Sequence, residues 1–435
     1  MGIGRLLAQG AGLAYGLFYL LIALCYALTQ KDFWAGETPE RKATQDRASR
    51  SLWSLQEGLE GIRHKFLKLQ NGVQLHYLLA DRSNAKTRAL VIFLHGFPDS
   101  AHLFSRQLRS SIGVDTTLVA LDLPGCGGSD SLDRYGPDDV LNVVAEAIVL
   151  LKKRYIAQDE ELEVAEKPRC ILVGHDWGGV IGFRLAAETS GLIDHFVPIN
   201  SLHPAFAESQ LKGRVAKANT LFKQWKLQSA FAILAPVLSQ LTKSSYTYML
   251  TLPLPLAKLI PGLTLSLIKF AHSLEYEDTP PPSIEEVATR MAMACGPGQV
   301  ESRISAEDGS AYGLSVYERS RTAISGDWDG RVKLYAQGLL RRPWTPNYPG
   351  HVSLTENSGR FNCAVSFIFG IQDIALNPRI AVDGIERLFM HVDNDHDRHV
   401  AQQSRVVRLP DCGHWSLLEE DGERALQEVL VNLLP

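Results

Sequence analysis

Cysteine is scarce: six residues in a chain of 435 are too few and too scattered to frame disulfides. No Asn-x-Ser/Thr acceptor occurs, as suits a domain that never meets lumenal glycosylation. The formal net charge of -4 spreads without a basic stripe, which argues against nucleic acid as a partner. Internal repeats are absent. Gly125-Cys126-Gly127-Gly128 follows a strand-like run but lacks the full dinucleotide fingerprint, and no Gly-rich phosphate cradle stands elsewhere, so no organic cofactor is implied. Residues 391–399 are rich in His and Asp yet show no compact ligand spacing with a partner elsewhere; a solvated loop is expected there, and no metal. What remains is an ordinary globular composition with ample apolar residues for a core, in a chain whose length alone suggests two or three domains.

The most informative stretch is Leu172-Val173-Gly174-His175-Asp176-Trp177-Gly178-Gly179. An apolar run leads into it and a helix-like segment follows, the strand, sharp turn and helix of a nucleophile elbow. Where a lipase or esterase carries Ser stands Asp176. A carboxylate that attacks carbon becomes an ester on the enzyme, so the substrate must offer an electrophilic sp³ carbon. Downstream, an apolar strand ends in Gly370-Ile371-Gln372-Asp373, and a shorter one leads to Asp411-Cys412-Gly413-His414-Trp415. Nucleophile, acid and histidine in that order form the chain order of α/β-hydrolase triads. Upstream, the strand-like run 89–94 delivers His95-Gly96-Phe97-Pro98. The loop at that place donates one backbone N–H to an oxyanion hole, and the residue after the nucleophile donates the other; here they belong to Phe97 and Trp177. The His95 side chain itself reads as a strand-end turn residue, and Cys412 as a bystander.

Together these motifs make the chain resemble an epoxide hydrolase of the α/β-hydrolase superfamily, the kind with an Asp nucleophile and a helical cap, from about residue 63 to the C-terminus. It is most like the membrane-anchored members. The resemblance implies a mostly parallel sheet flanked by helices, with an inserted helical cap. It casts Asp176 as nucleophile, His414 as general base and Asp373 as the acid that orients it. It also implies two cap tyrosines that donate hydrogen bonds to the epoxide oxygen. Register selects Tyr246 as the first, with Thr251 where the family has Gln; Tyr248 is a near neighbour and stays open as the alternative. Tyr335 matches the second, followed by Ala336 where the family usually has Arg. Trp177, Tyr248 and Trp415 are expected to touch the substrate. The implied reaction turns an apolar epoxide into a vicinal diol without a cofactor, in lipid metabolism or detoxification. Two rivals stand beside it: a haloalkane-dehalogenase-like hydrolase, with Trp177 as a halide donor, and a catalytically silent membrane-tethered scaffold. No protein partner can be named.

The N-terminus departs from a soluble enzyme. Residues 6–28 are apolar or small except for Gln9 and two tyrosines, long enough as a helix for the ~30 Å hydrocarbon core. A secretory signal has a shorter apolar core, so an uncleaved anchor is favoured, although Cys25-Tyr26-Ala27 can pass as a cleavage site. Only Arg5 precedes the run, whereas Lys31, Arg41, Lys42, Arg47 and Arg50 follow it. Positive flanks stay in the cytosol, which gives a single-pass protein with a cytosolic catalytic part; the endoplasmic reticulum is the membrane expected for it. The expected division is an anchor at 1–30, a polar linker with an amphipathic flavour at 31–62, a core at 63–203 and 346–435, and a cap at 204–345. Asn71-Gly72 between two alternating runs signals a hairpin. Residues 252–270 are nearly all apolar, but Pro253, Pro255 and Pro261 forbid a spanning helix there.

Overall fold

A computed structural model describes residues 3–29, 38–57, 59–80, 87–110, 112–113, 115–156, 169–253, 283–321, 329–346, 353–354, 360–389 and 403–434. Residues 391–399 and nearly all of the apolar stretch 252–270 lie outside them. The described residues open with the helices α1 (Ile3–Thr29) and α2 (Pro39–Trp53). In place of the linker suggested by its polarity, α2 is a docked helix. Thr38 caps it by accepting the Arg41 N–H at 3.2 Å, and Pro39 sits in the first turn where a missing N–H costs nothing. Trp53 is fully buried and donates its indole N–H to the Ala292 carbonyl at 2.9 Å, while Ser49 Oγ bonds Glu301 at 3.2 Å.

Strands β1 (Ile62–Lys68) and β2 (Gln74–Ala80) pair antiparallel across the Asn71-Gly72 turn. Strand and helix then alternate: β3 (Ala89–Leu94), α3 (Ser105–Arg109), β4 (Thr116–Leu121), α4 (Pro137–Tyr155), β5 (Arg169–His175), α5 (Trp177–Glu188), β6 (Thr189–Ser190) and β7 (His195–Ile199). Among the described residues six helices intervene before the sheet resumes: α6 (Pro204–Lys223), α7 (Leu227–Lys243), α8 (Ser245–Leu250), α9 (Ile284–Cys295), α10 (Leu314–Arg321) and α11 (Asp329–Ala336). The chain then adds β8 (Ser353–Leu354), β9 (Ala364–Gly370), α12 (Pro378–Ala381), β10 (Arg405–Leu409) and α13 (Glu420–Leu433).

Among the described residues the main sheet has eight strands in the order β1-β2-β4-β3-β5-β7-β9-β10, parallel from β4 to β10. Every residue of β3, β4, β7 and β9 is buried, as a sheet covered on both faces requires. The pleat divides each strand between two cores. Leu90, Ile92 and Leu94 pack with α4 and α5 on one face, and Val91 and Phe93 pack with α13 on the other. The carboxyl ends of β3, β5, β7, β9 and β10 therefore open on one edge, where an open α/β sheet places its ligands.

Candidate active site

At the end of β5 the backbone of Asp176 turns with φ 49° and ψ -115°, a conformation that a side-chain-bearing residue adopts only under constraint. The constraint is visible. Asp176 N–H donates to the Ile199 carbonyl at 3.3 Å, and Ser201 Oγ donates to the Asp176 carbonyl at 2.7 Å. Gly178 faces the Leu94 carbonyl so closely that a Cβ would collide with it, so glycine lets α5 begin directly against β3. The turn lifts the carboxylate to the sheet edge. There Asp176 Oδ1 accepts the Phe97 N–H at 2.9 Å, the Trp177 N–H also bonds the carboxylate, and Oδ2 faces His414 Nε2 at 3.7 Å. The two N–H groups expected of an oxyanion hole thus both meet the Asp176 carboxylate. Burial pushes the Asp176 carboxyl above its ordinary range, against the pull of His414 and these donors.

His414 Nδ1 bonds Asp373 Oδ2 at 2.8 Å, with both side chains buried. Asp373 also accepts Asn200 Nδ2 at 2.8 Å and the N–H groups of Ala375 and Leu376 at 2.7 and 2.8 Å. Burial alone would raise its pKa; His414 and these donors more than offset it and hold the carboxyl below its usual range. An ionised Asp373 fixes the imidazole with Nε2 toward Asp176.

Helices from the insertion close the site above the carboxylate. The Tyr246 and Tyr335 rings lie 6.2 Å apart, and their hydroxyls hydrogen-bond one another. Tyr335 also packs on Trp177 at 4.7 Å and on Phe97 at 5.6 Å. Burial and the Asp176 carboxylate push both phenols up, so each remains a protonated donor. Two cations, Arg331 buried and Lys243 half-buried, flank these tyrosines. Arg331, one turn before Tyr335, reaches the carbonyls of Ala294, Pro98 and Gly125, the last two at 3.4 Å. Lys243, just before α8, donates to the Asp373 carbonyl.

Asp176, His414, Asp373, Phe97, Trp177, Tyr246 and Tyr335 are therefore brought together. Tyr248 is not: its ring packs on Tyr15 of α1 at 5.2 Å. Trp415 is buried beside His414 and donates its indole N–H to Asp99 Oδ2 at 2.9 Å. His95 serves the backbone, with Nδ1 on the Gly96 carbonyl at 2.7 Å and Nε2 accepting the Leu123 N–H at 3.0 Å. No motif marks Asn200, Ser201, Asp99 or Arg331. An Asn-Ser pair closing an apolar strand is the only signal for the first two, and their role depends on β7 lying between β5 and β9. Among the described residues no group of three or more His, Cys, Asp or Glu side chains could hold a metal ion.

Residues 91–428 match the alpha/beta hydrolase family, and the chain belongs to it. It is similar to Epoxide hydrolase 3 of Xenopus tropicalis, 29% identical over 214 residues that cover 48% of this chain and 46% of that protein. It is also similar to a Haloalkane dehalogenase of Mycolicibacterium smegmatis, 34% identical over 124 residues, 27% of this chain and 33% of that one. The chain spans about half the length, or less, of the curated relatives it matches. Among solved structures, a variant of aCif shares the fold at a TM-score of 0.53, with 16% identity over 91% of this chain and 97% of that one.

Proposed function

We propose that the protein hydrolyses an apolar epoxide to a vicinal diol through an ester on Asp176. The observation that carries this reading is the elbow carboxylate, with one oxygen among backbone donors, the other toward His414, and two phenols above it. Oδ2 attacks a ring carbon, and the C–O bond breaks toward the ring oxygen, which takes a proton from Tyr246 or Tyr335. His414 Nε2 then removes a proton from water, whose oxygen attacks the ester carbonyl. Charge gathers on Oδ1, which already accepts the Phe97 N–H, with the Trp177 N–H on the same carboxylate. Collapse expels the diol alkoxide, which takes its proton from His414. The proton lent by the tyrosine returns as the regenerated Asp176 carboxyl ionises.

The Trp177 indole bonds the Tyr335 hydroxyl, which leaves it less suited to hold a halide. A silent scaffold has no use for a strained nucleophile turn beside an oriented histidine. Residues 204–345 are read as a cap over a core made of 63–203 and 346–435. The helix α1, with an apolar span over Gly10–Thr29 and a mean hydropathy of 2.0, is read as the membrane attachment. The catalytic part then sits on the cytosolic side of the endoplasmic reticulum, where it meets epoxides of lipids or foreign compounds dissolved in the bilayer. Incubating the purified protein with a panel of aryl and fatty epoxides tests the activity: diols are expected, and haloalkane cleavage without diol formation would overturn it.

A further inference from the structure

The packing of α1 bears on how the protein meets a membrane. Its face of small residues lies on the insertion: a Cβ on Gly16 would collide with the Tyr248 carbonyl, and Leu20 and Ala23 share an apolar cluster with Phe97, Tyr246 and Tyr335. Tyr15 OH donates to the Leu241 carbonyl at 3.2 Å, at the end of α7. Two residues further on, Lys243 is bonded to Asp373 on the catalytic core. If α1 crossed the bilayer with Thr29 at the cytosolic surface, Tyr15 would lie about 21 Å deep. Leu241, and the catalytic core with it, would be drawn into hydrocarbon. The packing and a spanning α1 exclude one another.

The other face of α1 stays exposed and apolar, with Leu13, Leu17, Leu21, Leu24 and Leu28 on one side of the helix. Adjoining α7 exposes a second such face: Leu227, Phe231, Leu238 and Leu241 fall within one arc. It runs from Leu241 beside Tyr15 to Trp225, which is 86% exposed at the tip of the α6–α7 hairpin. The charge around it is also one-sided, contrary to the even spread that composition suggested. Between residues 209 and 253 the chain carries six cations and no acid, and Lys217, Lys223 and Lys226 stand exposed around the tip. An apolar face flanked by lysines fits an anionic lipid surface, with the rings and aliphatics at the acyl boundary and the ammonium groups at phosphates.

We propose that α1 and α7 form one platform that lies in the cytosolic leaflet of an anionic bilayer, so that the protein is held monotopically and not by a spanning helix. The proposal rests on the membrane association read above and is independent of the chemistry at Asp176. The platform sets α1, whose inner face packs on Phe97 and Tyr246, between the active site and bilayer-dissolved substrate.

Full-length protein is tested in two ways, after flotation with phosphatidylcholine/phosphatidylserine vesicles; failure to float would overturn the platform and the membrane association together. First, a spaced glycosylation acceptor added before Arg5 should stay unmodified in microsomes, and an N-terminal tag should remain open to protease. Glycosylation would restore the spanning helix, and loss of the tag to a signal peptidase would remove α1 altogether; either overturns the proposal. Second, an environment-sensitive fluorophore on Phe231→Cys, in a Cys25→Ser background, should shift to the blue in nanodiscs with phosphatidylserine and resist aqueous iodide. Lys223→Gln with Lys226→Gln should weaken docking by roughly 25-fold, about fivefold for each lysine. Iodide quenching in anionic nanodiscs would refute the platform. A shift that follows protein density instead of lipid would assign the face to a second copy and refute the platform equally.

Discussion

Tyr335→Phe removes one O–H and leaves the ring. The contacts at 4.7 Å to Trp177, 5.6 Å to Phe97 and 6.2 Å to Tyr246 survive, so the site keeps its shape. Folding loses one hydrogen bond with Tyr246 and one from the Trp177 indole, about 1 kcal/mol each. Catalysis loses more, because a preorganised donor aimed at developing charge is worth on the order of 3 kcal/mol, roughly a hundredfold in rate. The loss should fall on ring opening and spare ester hydrolysis, which uses His414 and the Phe97 and Trp177 N–H groups. Single-turnover mixing with an aryl epoxide separates the two steps: ester formation should slow about a hundredfold while its hydrolysis stays near the wild-type rate. Tyr246→Phe should behave alike, and the double variant should lose less than the sum, since both donors serve one oxygen. Because both phenols are pushed above their ordinary range, neither should ionise and depress ring opening as the pH rises toward 10. Rates within twofold of wild type for both single variants, with a loss in Tyr248→Phe, would refute the assignment of the donors.

Two buried acids give stability tests of opposite sign. Burial pushes the Asp99 carboxyl up to about 6 from 3.8, so its charge opposes folding above pH 6, and the cost fades as pH falls toward 4. Asp99→Asn should raise stability by about 3 kcal/mol at pH 7.5 and by nothing below pH 4, measured by urea unfolding. Asp122 runs the other way: burial raises it, but His76 at 2.7 Å, His95 and the Ala101 N–H outweigh that and hold it at about 2. The stability it supplies is present above pH 4 and lost as pH falls through 2. Asp122→Asn should therefore cost about 2 kcal/mol at pH 7, with the gap closing in acid; a gap independent of pH would sink that account.

Legibility in the sequence followed how local each feature is. Asp176, Asp373 and His414 each end an apolar strand inside a short motif, and all three emerged from the chain alone with their order. The hairpin at Asn71-Gly72 is equally local. Asn200 was invisible, because its bond to Asp373 exists only once β7 lies beside β9, and strand order is a long-range property. Tyr246 and Tyr248, two residues apart, point about 200° away from each other on a helix. Only the docking of α8 against α1 decides which one faces Asp176. The helix α2 was masked by its polarity: Trp53, buried against α9 from 239 residues away, and Ser49 on Glu301 help to hold what composition presents as a linker.

The central claim is the ester on Asp176, and His414→Gln tests it most directly. The variant keeps the Asp176 nucleophile but lacks the base that activates water, so the ester should outlive its formation. After incubation with a reactive aryl epoxide, intact-protein mass spectrometry should show the added mass of one epoxide, mapped to the peptide that contains Asp176 and absent from Asp176→Ala. An unmodified His414→Gln protein beside an active wild type, or an adduct on another residue, would contradict the account.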